Sequence, residues 1–265
     1  MLIFINHDDM RSLECMEECI RRHYYVSDLL KDLKYADVIY LGAKGLDRKN
    51  RLFMNNETIM IDEETIKSLK KGCCVLTLIH NAYLQELSKQ YQFIYQAFLD
   101  DEGFIKNNSI LTAEGLISYL ISHRRYPLYQ SHVMVLGYGH CGKAIVDALL
   151  ALKADVSVVL RNQKYRGDIE KKGCHYSRLS ELDLSKQDIL INTIPSVVVE
   201  KQHLDQAKKN IMIVDVASYP YGIDHHYAIS KGMNSQILPS IPSKYAYGYA
   251  GRMMADIIER MLKNE

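Results

Sequence analysis

Residues 137–142 read Gly137-Tyr138-Gly139-His140-Cys141-Gly142, a Gly-x-Gly-x-x-Gly turn. It follows the apolar run His132-Val133-Met134-Val135-Leu136 and opens an amphipathic stretch from Lys143 to Leu152. Strand, glycine turn, helix is the order that a dinucleotide pyrophosphate needs. The first glycine permits the tight turn and the second lets phosphate approach the backbone. The third lets helix and strand pack closely, and the helix's free N–H groups face the anion. All six residues are therefore candidates for cofactor binding. The other reading is a strand–helix turn that binds nothing.

The next apolar run, Ala154-Asp155-Val156-Ser157-Val158-Val159-Leu160, leads into Arg161-Asn162-Gln163-Lys164. In an NAD site this strand usually ends in an acid that accepts hydrogen bonds from the adenosine ribose. Here that place falls at Leu160 or Arg161, and Asp155 comes too early. A guanidinium can hold a 2′-phosphate through paired charge-assisted hydrogen bonds. Arg161, Asn162 and Lys164, with Arg166 nearby, thus favour NADP(H) over NAD(H), against the plainer reading of a solvated basic loop.

The chain must position that turn with 265 residues, enough for two modest domains, 48% of them hydrophobic and 25% charged. A net charge of +1 gives no general pull toward nucleic acid. The start, Met1-Leu2-Ile3-Phe4-Ile5-Asn6-His7-Asp8, has neither the basic lead nor the apolar length of a signal peptide, and no apolar stretch is long enough to span a membrane. A cytoplasmic, membrane-free protein is expected. Six scattered cysteines (15, 19, 73, 74, 141 and 174) lack a C-x-x-C pair and fit a reducing compartment. Cys15 and Cys19 lie one helical turn apart without a matching histidine pair, so packing is expected there and no metal.

Alternation of strand and helix runs through the first part. Strands are expected at Leu2–Asn6, Ala36–Leu41, Cys73–Ile79 and Gln92–Ala97, and helices at Met10–His23, Asp62–Lys71 and Tyr83–Gln90. Leu46–Thr58 reads as a polar, irregular excursion. Asp100-Asp101-Glu102-Gly103 and Asn107-Asn108 read as a boundary, followed by a linking helix, Thr112–Arg124. Beyond the glycine turn, strands at Asp188–Asn192 and Ile211–Val216 close on Thr193-Ile194-Pro195-Ser196 and Ala217-Ser218-Tyr219-Pro220. A short strand, Ser235–Leu238, and a long helix, Ala246–Leu262, complete the chain. Asp224 is expected to cap a helix beginning at His225-His226. The pattern is α/β, with parallel sheets covered on both faces. Ligands of such sheets bind beyond the carboxyl ends of the strands. That gathers Gly137–Gly142, Arg161, Thr193, Ile194, Pro195, Ala217 and Ser218 around one crevice.

With those residues placed, the chain resembles the dehydrogenase-like component of dipicolinate synthase from spore-forming bacteria, its A chain. The likeness rests on Asn108-Ser109-Ile110-x-Thr112-x-Glu114-Gly115, the glycine turn and Ile191-Asn192-Thr193-Ile194-Pro195-Ser196. It continues through Asp215-x-Ala217-Ser218-x-Pro220, Gly222 and Asp224, then Leu238-Pro239-x-x-Pro242 and Ala250-Gly251. Asn81-Ala82-Tyr83-Leu84 and, more weakly, Asp9-x-Arg11 extend it toward the start.

The resemblance implies two Rossmann-like domains: a flavodoxin/Rossmann-like substrate domain over 1–109, completed by a returning helix over 246–265, and an NADP-binding domain over 110–245. It implies NADP-dependent oxidation of a small cyclic dicarboxylate, a dihydropyridine, to dipicolinate during sporulation. The expected partners are a flavoprotein-like B subunit together with further copies of the chain in a homo-oligomer. Ser109, Thr112 and Asn81 could donate to substrate carboxylates, Glu114 could act as base and Lys244 could reach a carboxylate. Helix capping is the plainer reading of Thr112 and Glu114, standing level with catalysis for Glu114, and a solvated lysine is the plainer and favoured reading of Lys244. Where the family typically reads Ala-Ser-Arg-Pro-Gly-Gly, this chain has Ala217-Ser218-Tyr219-Pro220-Tyr221-Gly222, and a family Pro-Lys-Thr-Ala-Gly has become Tyr247-Gly248-Tyr249-Ala250-Gly251. A nucleotide-binding paralogue without turnover, serving as a sensor or partner subunit, is the alternative.

Overall fold

A computed structural model describes residues 1–43 and 45–263. It divides into two compact units, one of Met1–Asn108 with Pro242–Glu265, the other of Ser109–Ile241. In the first, β1 (Leu2–Ile5), β2 (Tyr25–Ser27), β3 (Val38–Tyr40), β6 (Cys74–Thr77) and β7 (Ile94–Ala97) form a parallel sheet in the order β2-β1-β3-β6-β7. Counted within the unit this is 2-1-3-4-5, the flavodoxin-like order. Helices α1 (Met10–Arg21), α2 (Glu63–Lys67) and α3 (Ala82–Tyr91) connect the strands. α9 (Pro242–Tyr245) and α10 (Tyr247–Lys263) return late in the chain, and α10 lies along α1. Positions 264 and 265 of the helix expected over 246–265 lie outside the described residues.

The second unit is built from β8 (His132–Leu136), α5 (His140–Ala151), β9 (Asp155–Leu160), α6 (Arg166–Lys171), β10 (His175–Arg178), β11 (Ile189–Asn192), α7 (Lys201–Leu204), β12 (Met212–Asp215), α8 (His225–Ser230) and β13 (Asn234–Ile237). Its sheet is all parallel in the order β10-β9-β8-β11-β12-β13. Within the unit that is 3-2-1-4-5-6, the order of dinucleotide-binding sheets. The continuous apolar runs follow from burial on both faces. Val133, Val135, Val156, Val158, Ile189, Ile191 and Val214 pack into one core with Leu116, Ile145 and Leu149. Their neighbours Met134, Leu136, Val159, Leu190 and Ile213 pack into a second core with Leu204 and Ala228. One alternating strand thus feeds two cores.

The structure corrects several expectations. Leu46–Thr58 is not irregular: β4 (Arg51–Met54) and β5 (Glu57–Met60) pair as an antiparallel hairpin. Asn55 and Asn56, at φ 50° and 63°, form the two-residue left-handed turn that such hairpins favour, and Leu52 and Met54 enter the core. The boundary expected at 100–108 ends where the two units divide, between Asn108 and Ser109, but it brings no break in secondary structure. Helix α4 (Glu102–His123) runs through it without interruption, the Asp101 carboxylate accepting from the Phe104 N–H at 2.7 Å. Thr112 and Glu114 are therefore interior to a helix, and capping explains neither. The short edge strands β2 and β10 are not legible in the sequence because three or four largely polar residues carry no clear period. The helix expected over Asp62–Lys71 is shorter, ending at Lys67.

Among the described residues, no helix is long and apolar enough to cross a membrane. Gly251 explains how α10 seats on α1. A Cβ built there would lie 2.7 Å from the Cys15 peptide nitrogen and 2.8 Å from the Arg11 carbonyl oxygen. Alanine normally stabilises a helix interior relative to glycine. Here Gly251→Ala should instead lower stability by about 1–3 kcal/mol through overpacking, read as an earlier urea midpoint with unchanged slope.

Candidate functional site

The glycine turn sits where β8 gives way to α5, beside β11, at the point where strand order reverses. Gly137 has φ +97°, and a side chain there would strike the Thr193 hydroxyl and meet Ile194 Cγ1 at 3.1 Å. Thr193 is fixed in turn, its hydroxyl and its N–H both donating to the Leu136 carbonyl at 2.8 and 2.9 Å. A Cβ on Gly142 would collide with the Gly137 carbonyl, whereas Gly139 faces open space. The N-cap of α5 is Gly139, with no side-chain cap and no acidic residue in the first turn. The peptide N–H groups there have no intrahelical acceptors and no nearby carboxylate on that turn. This donor set fits a dinucleotide diphosphate.

The three variable residues of the turn differ in role. Tyr138 points inward and is buried, its hydroxyl donating to Asp168 at 2.9 Å. Burial and the adjoining Asp168 carboxylate push its phenol pKa well above the usual range, so it stays neutral. The Lys143 ammonium lies 5.4 Å from the Tyr138 ring centroid and 4.7 Å from that of Tyr165. His140 is exposed; Cys141 is half-buried, its sulfur 3.5 Å from the Ser109 hydroxyl.

At the end of β9, Leu160 is buried and Arg161 exposed, one guanidinium nitrogen 3.5 Å from the Ser196 hydroxyl. Asn162 accepts from the Lys164 N–H at 2.7 Å, folding that segment into a short turn. Lys164 is exposed, while Arg166 is engaged by Glu170 at 2.8 Å. Asp155 stands at the amino end of the strand, 2.7 Å from His132 Nδ1. The strand therefore has no acid at its carboxyl end.

Two residues to which the sequence assigns no physical role organise the rest. Asn192 ends β11 fully buried, its amide oxygen accepting from the Ile194 N–H and its amide nitrogen donating to the Ile194 carbonyl, each at 3.0 Å. Its nitrogen also reaches Asp215 at 2.9 Å. Asp215 ends β12, also fully buried, and accepts from the Ala217 N–H at 2.9 Å and the Gly222 N–H at 2.8 Å. His225 Nε2 stands 3.3 Å from the same carboxylate, with Nδ1 2.8 Å from the Ser235 hydroxyl. Asp224 caps α8 by accepting from the Tyr227 N–H at 3.0 Å. The available signal was a polar residue ending each of two wholly apolar strands.

The structure thus brings Gly137, Gly142, Thr193, Ile194, Asn192, Asp215 and Ala217 into one connected set. Arg161 joins through Ser196, while Pro195 and Ser218 stand exposed on the same two loops. Ser109 and Thr112 are buried on α4, and Glu114 is exposed on it. Asn81 and Lys244 belong to the other unit. There Asn81 caps α3, accepting from the Leu84 N–H at 3.0 Å, and Lys244 is exposed on α9. The corresponding switch point of that unit, at the ends of β1 and β3, is closed by Asp8. Its carboxylate accepts from the Ala43 N–H at 2.6 Å and packs where Gly42 (φ +85°) leaves room. A carboxylate in that place opposes a phosphate.

Residues 117–218 match the family described as D-isomer specific 2-hydroxyacid dehydrogenase, NAD binding domain, which implies a nicotinamide cofactor. The chain is 30% identical over 211 residues to the A chain of dipicolinate synthase from Bacillus subtilis, covering 78% of this chain and 71% of that one. It belongs to the dipicolinate synthase A-chain family. Two solved members superpose along nearly the whole chain. That of Bacillus halodurans does so with TM-score 0.85 at 27% identity, over 98% of this chain and 97% of that one. That of B. subtilis does so with 0.87 at 25% identity, over 100% and 96%. The chain is accordingly dehydrogenase-like.

Asp215→Ala would strand two buried peptide donors and the Asn192 amide, and should cost on the order of 3 kcal/mol. Melting of the purified variant measures it. Burial pushes the Cys73 and Cys74 thiols up to about 11 and about 12, and Cys15, Cys19 and Cys174 are also buried. Iodoacetamide should therefore modify Cys141 first in the native protein, as peptide mapping would report.

Proposed function

We propose that this protein is an NADP-dependent oxidoreductase that converts a dihydropyridine dicarboxylate to dipicolinate. The reading puts the cofactor in the unit of residues 109–241 and takes the substrate's contacts from both units, the other contributing Asn81 and Lys244. The observation that carries it is the Gly137–Gly142 turn locked by Thr193, beside a second strand that ends in Arg161 and lacks an acid. The diphosphate would lie on the peptide N–H groups at the start of α5, and the 2′-phosphate on Arg161 with Lys164 and Asn162. Thr193, Ile194, Pro195, Ala217 and Ser218 would flank the ribose and nicotinamide.

NADP⁺, when bound, supplies the hydride acceptor. The substrate ring gives up one hydride and one proton and becomes aromatic, so the protein's task is mainly positioning and proton acceptance. Glu114, an exposed carboxylate, is the proposed proton acceptor. Ser109, Thr112 and Asn81 are proposed as donors to the carboxylates, and Lys244 as their counter-charge. A flavoprotein-like B subunit would complete the enzyme in the cytoplasm of a sporulating cell, and like copies would associate. Tyr219, at the place of a family arginine, favours a second reading in which the protein binds nucleotide without turnover.

Fluorescence titration should give tighter binding of NADPH than of NADH, by about tenfold or more, as one or two charge-assisted hydrogen bonds would supply. Arg161→Ala should erase most of that preference; equal affinities in the unaltered protein would remove the 2′-phosphate assignment. Supplied with NADP⁺, a B subunit and enzymatically generated hydroxy-tetrahydrodipicolinate, which becomes the dihydropyridine by losing water, the protein should produce the ultraviolet absorbance of dipicolinate. Cofactor binding without product would select the second reading.

A further inference from the structure

Tyr221 has a backbone that its side chain does not favour. Its φ is +68°, the left-handed region, where a bulky residue is a genuine outlier. A glycine stands next to it, yet the positive φ falls on the tyrosine. Gly222 is required for another reason, because a Cβ there would meet the Asn192 side chain. The conformation of Tyr221 is held from both sides. Its N–H donates to the Ser218 carbonyl at 2.9 Å, and the Gly222 N–H donates to Asp215 at 2.8 Å. The Gly222 carbonyl accepts from Val198 and Val199 at 2.9 and 3.0 Å. Strain that persists because its surroundings over-determine it is characteristic of sites that hold a ligand.

What the strain presents is aromatic. The Tyr219 and Tyr221 rings meet edge to face, with centroids 5.8 Å apart and planes at 85°. Behind them Tyr221 stands edge-on to His225 at 6.3 Å, and His225 is tied to Asp215 and Ser235. Tyr219 is 77% exposed, so the front ring offers a free face. The loop leaves the carboxyl end of β12, the side on which open parallel sheets bind their ligands.

We propose that Tyr219 and Tyr221 form a platform for a planar six-membered nitrogen heterocycle. The ring could be the substrate's pyridine or dihydropyridine, or the nicotinamide of the cofactor. The inference rests on the cofactor reading above and adds a specificity element to it. An electron-poor ring lies well on or against phenol rings by offset or edge-to-face contact. The loop's fixed backbone makes the platform rigid before the ligand arrives, which lowers the cost of binding.

Tyr221→Gly separates this role from a purely structural one, because the two predict different outcomes. Glycine relieves the positive φ, so the variant should melt a few degrees higher or unchanged. Calorimetric titration of the NADP⁺-loaded protein with dipicolinate, and fluorescence titration with NADPH, should nevertheless show weaker binding of one ring. The loss should be roughly threefold to tenfold, as loss of an aromatic contact gives. Tyr219→Ala should do the same, and Tyr219→Phe should restore the affinity. Loss in the dipicolinate arm assigns the substrate ring, and loss in the NADPH arm assigns nicotinamide. Unchanged affinity in both arms for Tyr221→Gly and Tyr219→Ala overturns the platform and leaves the cofactor reading intact. Failure of the unaltered protein to bind NADPH overturns both.

Discussion

One buried carboxylate holds the loop chemistry of the 109–241 unit together. Asp215 has no solvent contact, and two peptide N–H groups, the Asn192 amide and the His225 imidazole converge on it. A buried charge is tolerated only where hydrogen bonds replace its water. The carboxylate therefore dictates where the chain runs after β12. It draws Ala217 and Gly222 back toward the strand end, which puts Ser218, Tyr219 and Tyr221 on an outward arc. Through Asn192 the same network reaches Ile194, and Thr193 beside it occupies the space that Gly137 leaves empty. A chain of contacts thus runs from β12 to the first turn of α5.

The two units apply one architecture to different ends. Each has a parallel sheet whose strand order reverses once, making a crevice at that point. In the 109–241 unit the crevice carries glycines and free peptide donors. In the other, Asp8 fills it and is held by Ala43. Related topology therefore carries different chemistry at the two strand ends. The difference lies in two short loops, Asn6–Asp9 and Gly137–Gly142, that follow equivalent first strands.

Legibility in the sequence tracked how local each signal was. The glycine turn, the apolar runs of β8, β9, β11 and β12 and the Asp224 cap could all be read, because neighbours in sequence determine them. The hairpin β4–β5 escapes a sequence reading although Asn55-Asn56 signals it, since few residues in and beside it, Leu46, Leu52 and Met54 with Ile59 at the margin, face the core and the rest of the segment is largely polar. At the boundary expected over 100–108, where the units do divide after Asn108, the continuity of the helix is the part the sequence hides, for the opposite reason. Gly103, Asn107 and Asn108 are poor helix formers, yet capping by Asp101 and the long apolar stretch beyond carry α4 through them. Asp215 and Asn192 belong to the segments that carry the family resemblance, but the sequence gives them no physical role. Their partners lie in other loops, and nothing in the linear order joins them.

By itself, then, the amino-acid sequence determined the class of fold, the family and the place of the glycine turn. Periodicity, turn chemistry and steric demand act over a few residues and can be read along a chain. Tertiary structure alone decided that Thr193 makes Gly137 necessary, that four donors meet at Asp215, and that a tyrosine takes the strained position beside Gly222. Those are consequences of bringing strand ends together in a sheet, where residues dozens of positions apart compete for the same few ångströms.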